Sequence, residues 1–225
     1  MIDCAASQSD ARRTLTMTMT VAFTTTRTTT RTRTPTSRRT TPNKSMRSRT
    51  RPWASSQDIH TALDLARETN RGVNAGPLER ERVERAVDEV VALNPTPSQN
   101  NSHASQGRWR LKYTTEKETL WLLGKGADVE AFQTIDNERA TLVNEVIFGA
   151  NSGVQPVIFR VDASTEIASP TRVNFKFVSA SLTLSNGWRI PIPPVGAGWF
   201  DNIYVVDGIR VSRDSRGDTL VCERA

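Results

Sequence analysis

Two hydrophobic periods divide this chain, and they meet near residue 107. Before it, apolar residues recur at helical spacing. Ile59, Leu63 and Ala66 form one stripe, with Ser55 and Asp58 spaced as a capping box ahead of it and Gly72 as its terminator. Pro77 then suits a first helical turn, and Val83, Ala86, Val87 and Val90 share the next face. Glu79, Arg82, Glu84, Arg85 and Glu89 fall on its solvated side. The segment Asn94-Pro95-Thr96-Pro97 stops this helix, and a polar loop follows to Gly107. Both stripes are narrow and hold no aromatic residue, which predicts packing against a sheet rather than a helical domain of its own.

From residue 107 the period becomes two. The run from Arg108 to Tyr113 alternates and predicts Trp109, Leu111 and Tyr113 on one face. The run from Arg172 to Val178 does the same with Val173, Phe175 and Phe177. Strands are also predicted at 119–123, 131–135, 140–148, 157–163, 181–184 and 188–192. Gly124 and Gly126, Asn151 to Gly153, Ser169-Pro170, Asn186-Gly187 and Pro191 to Gly198 separate them. The stretch from Gly198 to Arg224 reads as two strands and two turns, with Asp207-Gly208 a tight-turn pair. Twelve of the fourteen aromatic residues lie between Trp109 and Tyr204, so the core belongs there. The predicted fold class is mainly β: an antiparallel barrel or sandwich of about eight strands preceded by two short α-helices.

The formal net charge is +6, which invites a nucleic-acid reading. Its distribution argues otherwise. Residues 1–57 hold eleven basic residues and two acids, whereas the remaining 168 hold 19 basic and 22 acidic residues. The excess sits in a Thr- and Arg-rich segment with too little apolar surface to offset its ordering entropy. Arg-rich, hydroxyl-rich and acid-poor is the composition of an organelle transit peptide. The expected organisation is a leader over 1–54, two helices and a polar loop over 55–106, and the barrel over 107–225. Asp3 and Asp10 are unusual in such a leader, and Met17 or Met19 would start a cleaner one. No run approaches the ~18 apolar residues of a spanning helix. Of the two cysteines, Cys4 would leave with the leader, so Cys222 is expected to be a single thiol.

Several of these segments resemble one family. Asn94-Pro95-Thr96-Pro97, then Gly107-Arg108-Trp109-Arg110-Leu111-Lys112-Tyr113-Thr114-Thr115, is similar to the entry of the plastid lipid-associated (fibrillin, plastoglobulin) domain. Phe132-Gln133-Thr134-Ile135-Asp136, Val143-Asn144-Glu145-Val146 and Arg172-Val173-Asn174-Phe175-Lys176-Phe177 follow its pattern more loosely. Gly198-Trp199-Phe200-Asp201 through Cys222 is the nearest part. The resemblance spans about residues 57–225. It departs at Val206 and Gly208, where the family is acidic on both sides of Asp207, and at Ile209, where it has Leu. It implies a lipocalin-like barrel in plastids, at plastoglobules or thylakoids. It implies a non-enzymatic role without cofactor or metal: binding prenylquinones, carotenoids or acyl lipids, or coating a lipid surface. An adaptor for an isoprenoid-quinone or carotenoid enzyme is the alternative, and a hydrolase or isomerase in the cavity a third.

The residues themselves offer little catalytic chemistry. His60 and His103 have no second His or Cys nearby for zinc, and no nucleophile-elbow sequence is present. Gly124-Lys125-Gly126 lacks phosphate-loop spacing. Glu145, Asp162 and Glu166 lie on predicted strands, where solvent-facing carboxylates are ordinary. Trp109, Leu111, Tyr113, Phe132, Phe148, Phe159, Phe175 and Phe177 either line an apolar pocket or fill the barrel as core. Trp188, Trp199 and Phe200, beside Pro191, Pro193 and Pro194, either anchor a rim at a lipid surface or plug the barrel end. Tyr204, Asp207, Arg210 and Arg213 complete the rim candidates, the two arginines facing lipid headgroups or the acids Asp207, Asp214 and Asp218.

Overall fold

The structure is a computed structural model that describes residues 56–92 and 103–225. The expected leader, Ser55 of the capping box and the Asn94–Pro97 stop lie outside these residues. Helices α1 (Ser56–Glu68) and α2 (Pro77–Val91) pack on one another. A short 3-10 turn (His103–Ser105) leads into β1 (Gly107–Thr114) and α3 (Lys117–Leu123). The strands β2 (Val129–Asp136), β3 (Thr141–Phe148), β4 (Val157–Ile167), β5 (Arg172–Thr183), β6 (Arg189–Ile192), β7 (Ala197–Val206), β8 (Ile209–Asp214) and β9 (Thr219–Arg224) complete the chain.

All pairings are antiparallel, and eight strands close into a ring. Neighbours in sequence pair with each other except at two places. The last strand, β9, pairs with the first, β1, which closes the barrel. β5 pairs with β4 along one side, while β6 and β7 lie end to end along its other side. Of the barrel and sandwich that the strand pattern allows, this is the barrel, in the lipocalin-like form that the resemblance implies.

Three expectations change. Residues 119–123 are the core of α3, not a strand. Leu120 to Leu123 is an unbroken apolar run, which carries neither period, and Leu123 buries itself in the barrel core. The separate strands expected at 172–178 and 181–184 are one strand, β5, bent by a bulge opposite Asp162 and Ala163. The stretch after Gly198 holds three strands rather than two, because its two turns separate β7, β8 and β9. Asp207 and Gly208 both have positive φ, 51° and 76°, as the tight hairpin requires.

The core has two layers. Inside the barrel, Trp109, Leu111, Val129, Ala131, Ile135, Leu142, Val146, Ala163, Val173, Phe200 and Val205 pack together. On the outer wall, Ile59, Leu63 and Ala66 of α1 and Val83, Val87 and Val90 of α2 pack on Tyr113, Tyr204, Ile209, Val211 and Val221. The helical stripes therefore meet the sheet, and each buried valine contributes roughly 1.5–3 kcal/mol of apolar burial. Gly72 (φ 98°) fixes the approach of the α1–α2 turn. A Cβ there would collide with the Thr114 carbonyl, and the Thr114 amide donates to the Arg71 carbonyl at 3.1 Å.

Candidate functional site

Strand register decides which candidate side chains enter the barrel. Trp109 and Leu111 do, and both are buried. Tyr113 does not. A bulge sets Leu111 opposite Cys222 but Tyr113 opposite Val221, so the extra residue, Lys112, turns Tyr113 outward beneath the helices. There burial first, and then Glu84, push its phenol well above the usual tyrosine value. A matching bulge between Asn202 and Tyr204 sends Tyr204 outward too, while Phe200 and Asn202 stay inside. These two bulges build the apolar wall on which the helices dock.

Phe132 also lies outside. It sits under the Arg108 guanidinium, 4.1 Å from its ring centroid, with Arg110 at 5.4 Å. Beside it runs an ion-pair ladder: Arg108 to Glu145 (3.3 Å), Arg160 to Glu145 (3.2 Å) and Arg160 to Asp162 (2.7 Å). Ser179 donates to Asp162 at 2.6 Å, and Arg189 donates to Ser181 at 3.0 Å. Although burial opposes it, these donors hold the Asp162 carboxyl below its usual range. Glu145, Arg160, Asp162, Ser181 and Arg189 line a polar outer cleft of about 450 Å³. Glu145 and Asp162 thus face solvent and their paired arginines. Among the described residues no cluster of His, Cys, Asp and Glu has the makings of a metal site.

Phe148, Phe159, Phe175 and Phe177 do enter the barrel, and all four remain partly exposed. Phe175 and Phe177 pack tilted, 5.3 Å apart. Their room comes from β7 and the residue before it: a Cβ on Gly198 would sit 3.1 Å from the Phe175 ring, and one on Gly196 2.9 Å from Phe177. The alternation that brings Phe159 and Ala163 inward also brings in Val161, and across β5 it brings Leu182. These partly exposed apolar side chains, the cup, share the inward face of β3, β4 and β5.

The floor of this cup is polar, which sequence reasoning missed. Asn144 and Gln133, both half-buried, lie cross-strand from one another, and Gln133 Nε2 donates to Asn144 Oδ1 at 2.9 Å. Behind them is Arg210, which is not at a rim but 0% exposed inside the barrel. It donates to Gln133 Oε1, to Asn202 Oδ1 (3.2 Å) and to Cys222 Sγ (3.6 Å), and stands over the Trp109 ring at 5.3 Å. Arg224 covers the same ring at 4.4 Å and donates to the carbonyls of Gln106 and Ala104. Burial pulls the Arg210 guanidinium below its usual value and pushes the Cys222 thiol up. The only available signal was parity: Arg210 alternates with Ile209 and Val211, whose outward direction is set by the helices.

The remaining rim candidates separate. Arg213 is outward and paired with Asp88 and Glu84 of α2. Asp207 is an exposed turn residue. Trp199 lies on the outer wall beneath the Arg172 guanidinium at 3.7 Å, and Arg172 grips Asp201 through two bonds of 2.8 and 2.7 Å. Trp188, at the β5–β6 hairpin, is 73% exposed. Ile167, Val178, Ile190 and Val195 are likewise exposed.

A model of the PAP_fibrillin family matches residues 57–223, which covers α1 through β9. The chain belongs to this family. Relatives bear it out: it is 35% identical to the probable plastid-lipid-associated protein 11, chloroplastic, of Arabidopsis thaliana over 72% of this chain and 77% of that one. It is 33% identical to plastoglobulin-1, chloroplastic, of Pisum sativum over 53% of this chain and 35% of that one. The light-induced protein, chloroplastic, of Solanum demissum is 30% identical over 48% of this chain and 35% of its own length. The chain thus spans about a third of the latter two. No solved structure matches it. As a PAP_fibrillin chain among chloroplastic relatives, this is a plastid protein. The family match includes α1 and α2, in keeping with the shared core that joins them to the barrel.

Proposed function

We propose that this PAP_fibrillin chain is a non-enzymatic barrel that rests peripherally on a plastid lipid surface and carries an apolar metabolite in its cup. One observation carries the reading. Between Glu166 and Asp201 the chain has no acidic residue but three cations, Arg172, Lys176 and Arg189. Ile167, Val178, Trp188, Ile190 and Val195, all exposed, fall in that same stretch. Exposed apolar side chains interleaved with cations, in a stretch that carries no acid of its own, suit an interface containing anionic lipid. Its strand β6 holds Pro191 and is followed by Pro193 and Pro194, and proline removes the donors that a second β-edge would need. The partly exposed phenylalanines of the cup support carriage of a prenylquinone, carotenoid or acyl chain.

Flotation of the full chain with phosphatidylcholine vesicles containing 30% phosphatidylglycerol (~30%, a composition that gives a clear anionic surface) tests the surface. Replacing Trp188→Ser together with Val195→Ser is expected to lower the bound fraction about five- to tenfold, while circular dichroism stays unchanged. Equal flotation of the variant and the parent would remove this edge from the reading.

A further inference from the structure

We propose that the polar floor of the barrel, built on Arg210, receives the carboxylate of a long-chain acid whose apolar tail lies in the cup. The inference rests on the carriage reading and names the chemistry of its ligand.

A guanidinium removed from water requires a counter-charge or a full set of acceptors. Arg210 has neither. Its bonded partners are two neutral amide oxygens, of Gln133 and Asn202, and the Cys222 sulfur. No described carboxylate pairs with it, whereas the partly exposed arginines Arg160, Arg172 and Arg216 each have one within 4 Å. Its Nε is buried without any partner. The other cation on the Trp109 ring, Arg224, is satisfied by backbone carbonyls and brings no negative charge. The interior of the barrel therefore holds positive charge that nothing described neutralises.

The position of this charge gives it a use. Gln133 stands between Arg210 and the cup, bonded to the guanidinium through Oε1 and to Asn144 through Nε2. Both amides are only half-buried. Rotation of the Gln133 side chain withdraws one neutral acceptor from Nη2 and leaves a donor for a carboxylate oxygen. The Asn144 amide lies beside that position as a second polar group. Above it, Val161, Phe159, Leu182, Phe175 and Phe177 provide an apolar wall for a tail. One charged head and one apolar chain are what this sequence of surfaces accommodates. A neutral ester has the same tail and would leave the guanidinium uncompensated.

The test uses the full chain, cis-parinaric acid and its methyl ester, with the polyene fluorescence as readout. The parent is expected to bind the acid saturably and about tenfold or more tighter than the ester. Arg210→Lys is expected to keep part of this preference, and Arg210→Met to abolish it. Should Arg210→Met not fold, Asn144→Leu is expected to weaken the acid more than the ester. Equal affinity of the parent for acid and ester would overturn the anionic site and leave the carriage reading standing. Binding of neither would overturn both.

Discussion

At the level of single residues, glycine and arginine do the most specific work. Gly198 opens the family's C-terminal signature because β7 must pass directly beneath the Phe175 ring. A side chain there forces that ring out of the cup. Gly198→Val is expected to cost about 1–3 kcal/mol, measured as a lower urea midpoint at unchanged slope. Asp201, three residues on, holds Arg172 against Trp199 on the outer wall. That pair is partly exposed, so Asp201→Ala is expected to cost only about 1 kcal/mol by the same measurement. Legibility at this scale was uneven. Phe175 and Phe177 could be placed inward from alternation alone. Tyr113 and Tyr204 could not, because a bulge reverses parity without any mark in composition. Arg210 alternates regularly with Ile209 and Val211, but which face of β8 is inside follows only from the helices that cover the other.

Among the elements, the helices and most strands followed from period. The apolar stripes of α1 and α2 are real faces, and Val83, Val87 and Val90 are all buried against the outer wall. Val87 is the most enclosed of the three, and Val87→Ala is expected to cost about 1–3 kcal/mol in thermal or urea unfolding. What period could not give was the identity of α3, whose four consecutive apolar residues suit a strand equally well. Nor could it join the two halves of β5, because Val178, the bulged residue, and the serines after it read as a break. The short β6 was visible as a strand, but its place as a free edge came only from topology.

Across the whole molecule, charge is arranged in two ways. Most ion pairs are on the outer wall, where each contributes little. Near the β8–β9 turn, Asp214, Asp218, Glu116 and Glu118 surround Arg216. Glu116 is largely enclosed, and burial, aided by Asp214 and Asp218, pushes its carboxyl up to about 7 against the contrary effects of Thr119 and Arg216. A carboxyl raised on folding binds its proton more tightly in the native state, so stability falls as pH rises from about 4.5 to 7. Urea titration at pH 5 and pH 8 should show a loss of about 1–3 kcal/mol in the parent from this group, and Glu116→Gln should flatten it. A parent with the same pH profile as Glu116→Gln would show that Arg216 compensates Glu116 fully.

The ring has a further consequence, for the order in which the protein can be made. Every pairing from β1 through β8 joins segments near one another in sequence, and those hairpins can zip as the chain appears. The β1–β9 seam is different: it joins Trp109 to Arg224, and the Ala225 amide donates to the Arg108 carbonyl at 3.0 Å. Until the final six-residue strand is available, β1 and β8 are both open edges. Closing so distant a contact is entropically slow. Closing the β1–β9 seam therefore gates the native state, and a nascent chain halted before Thr219 would expose two adhesive strands to its neighbours.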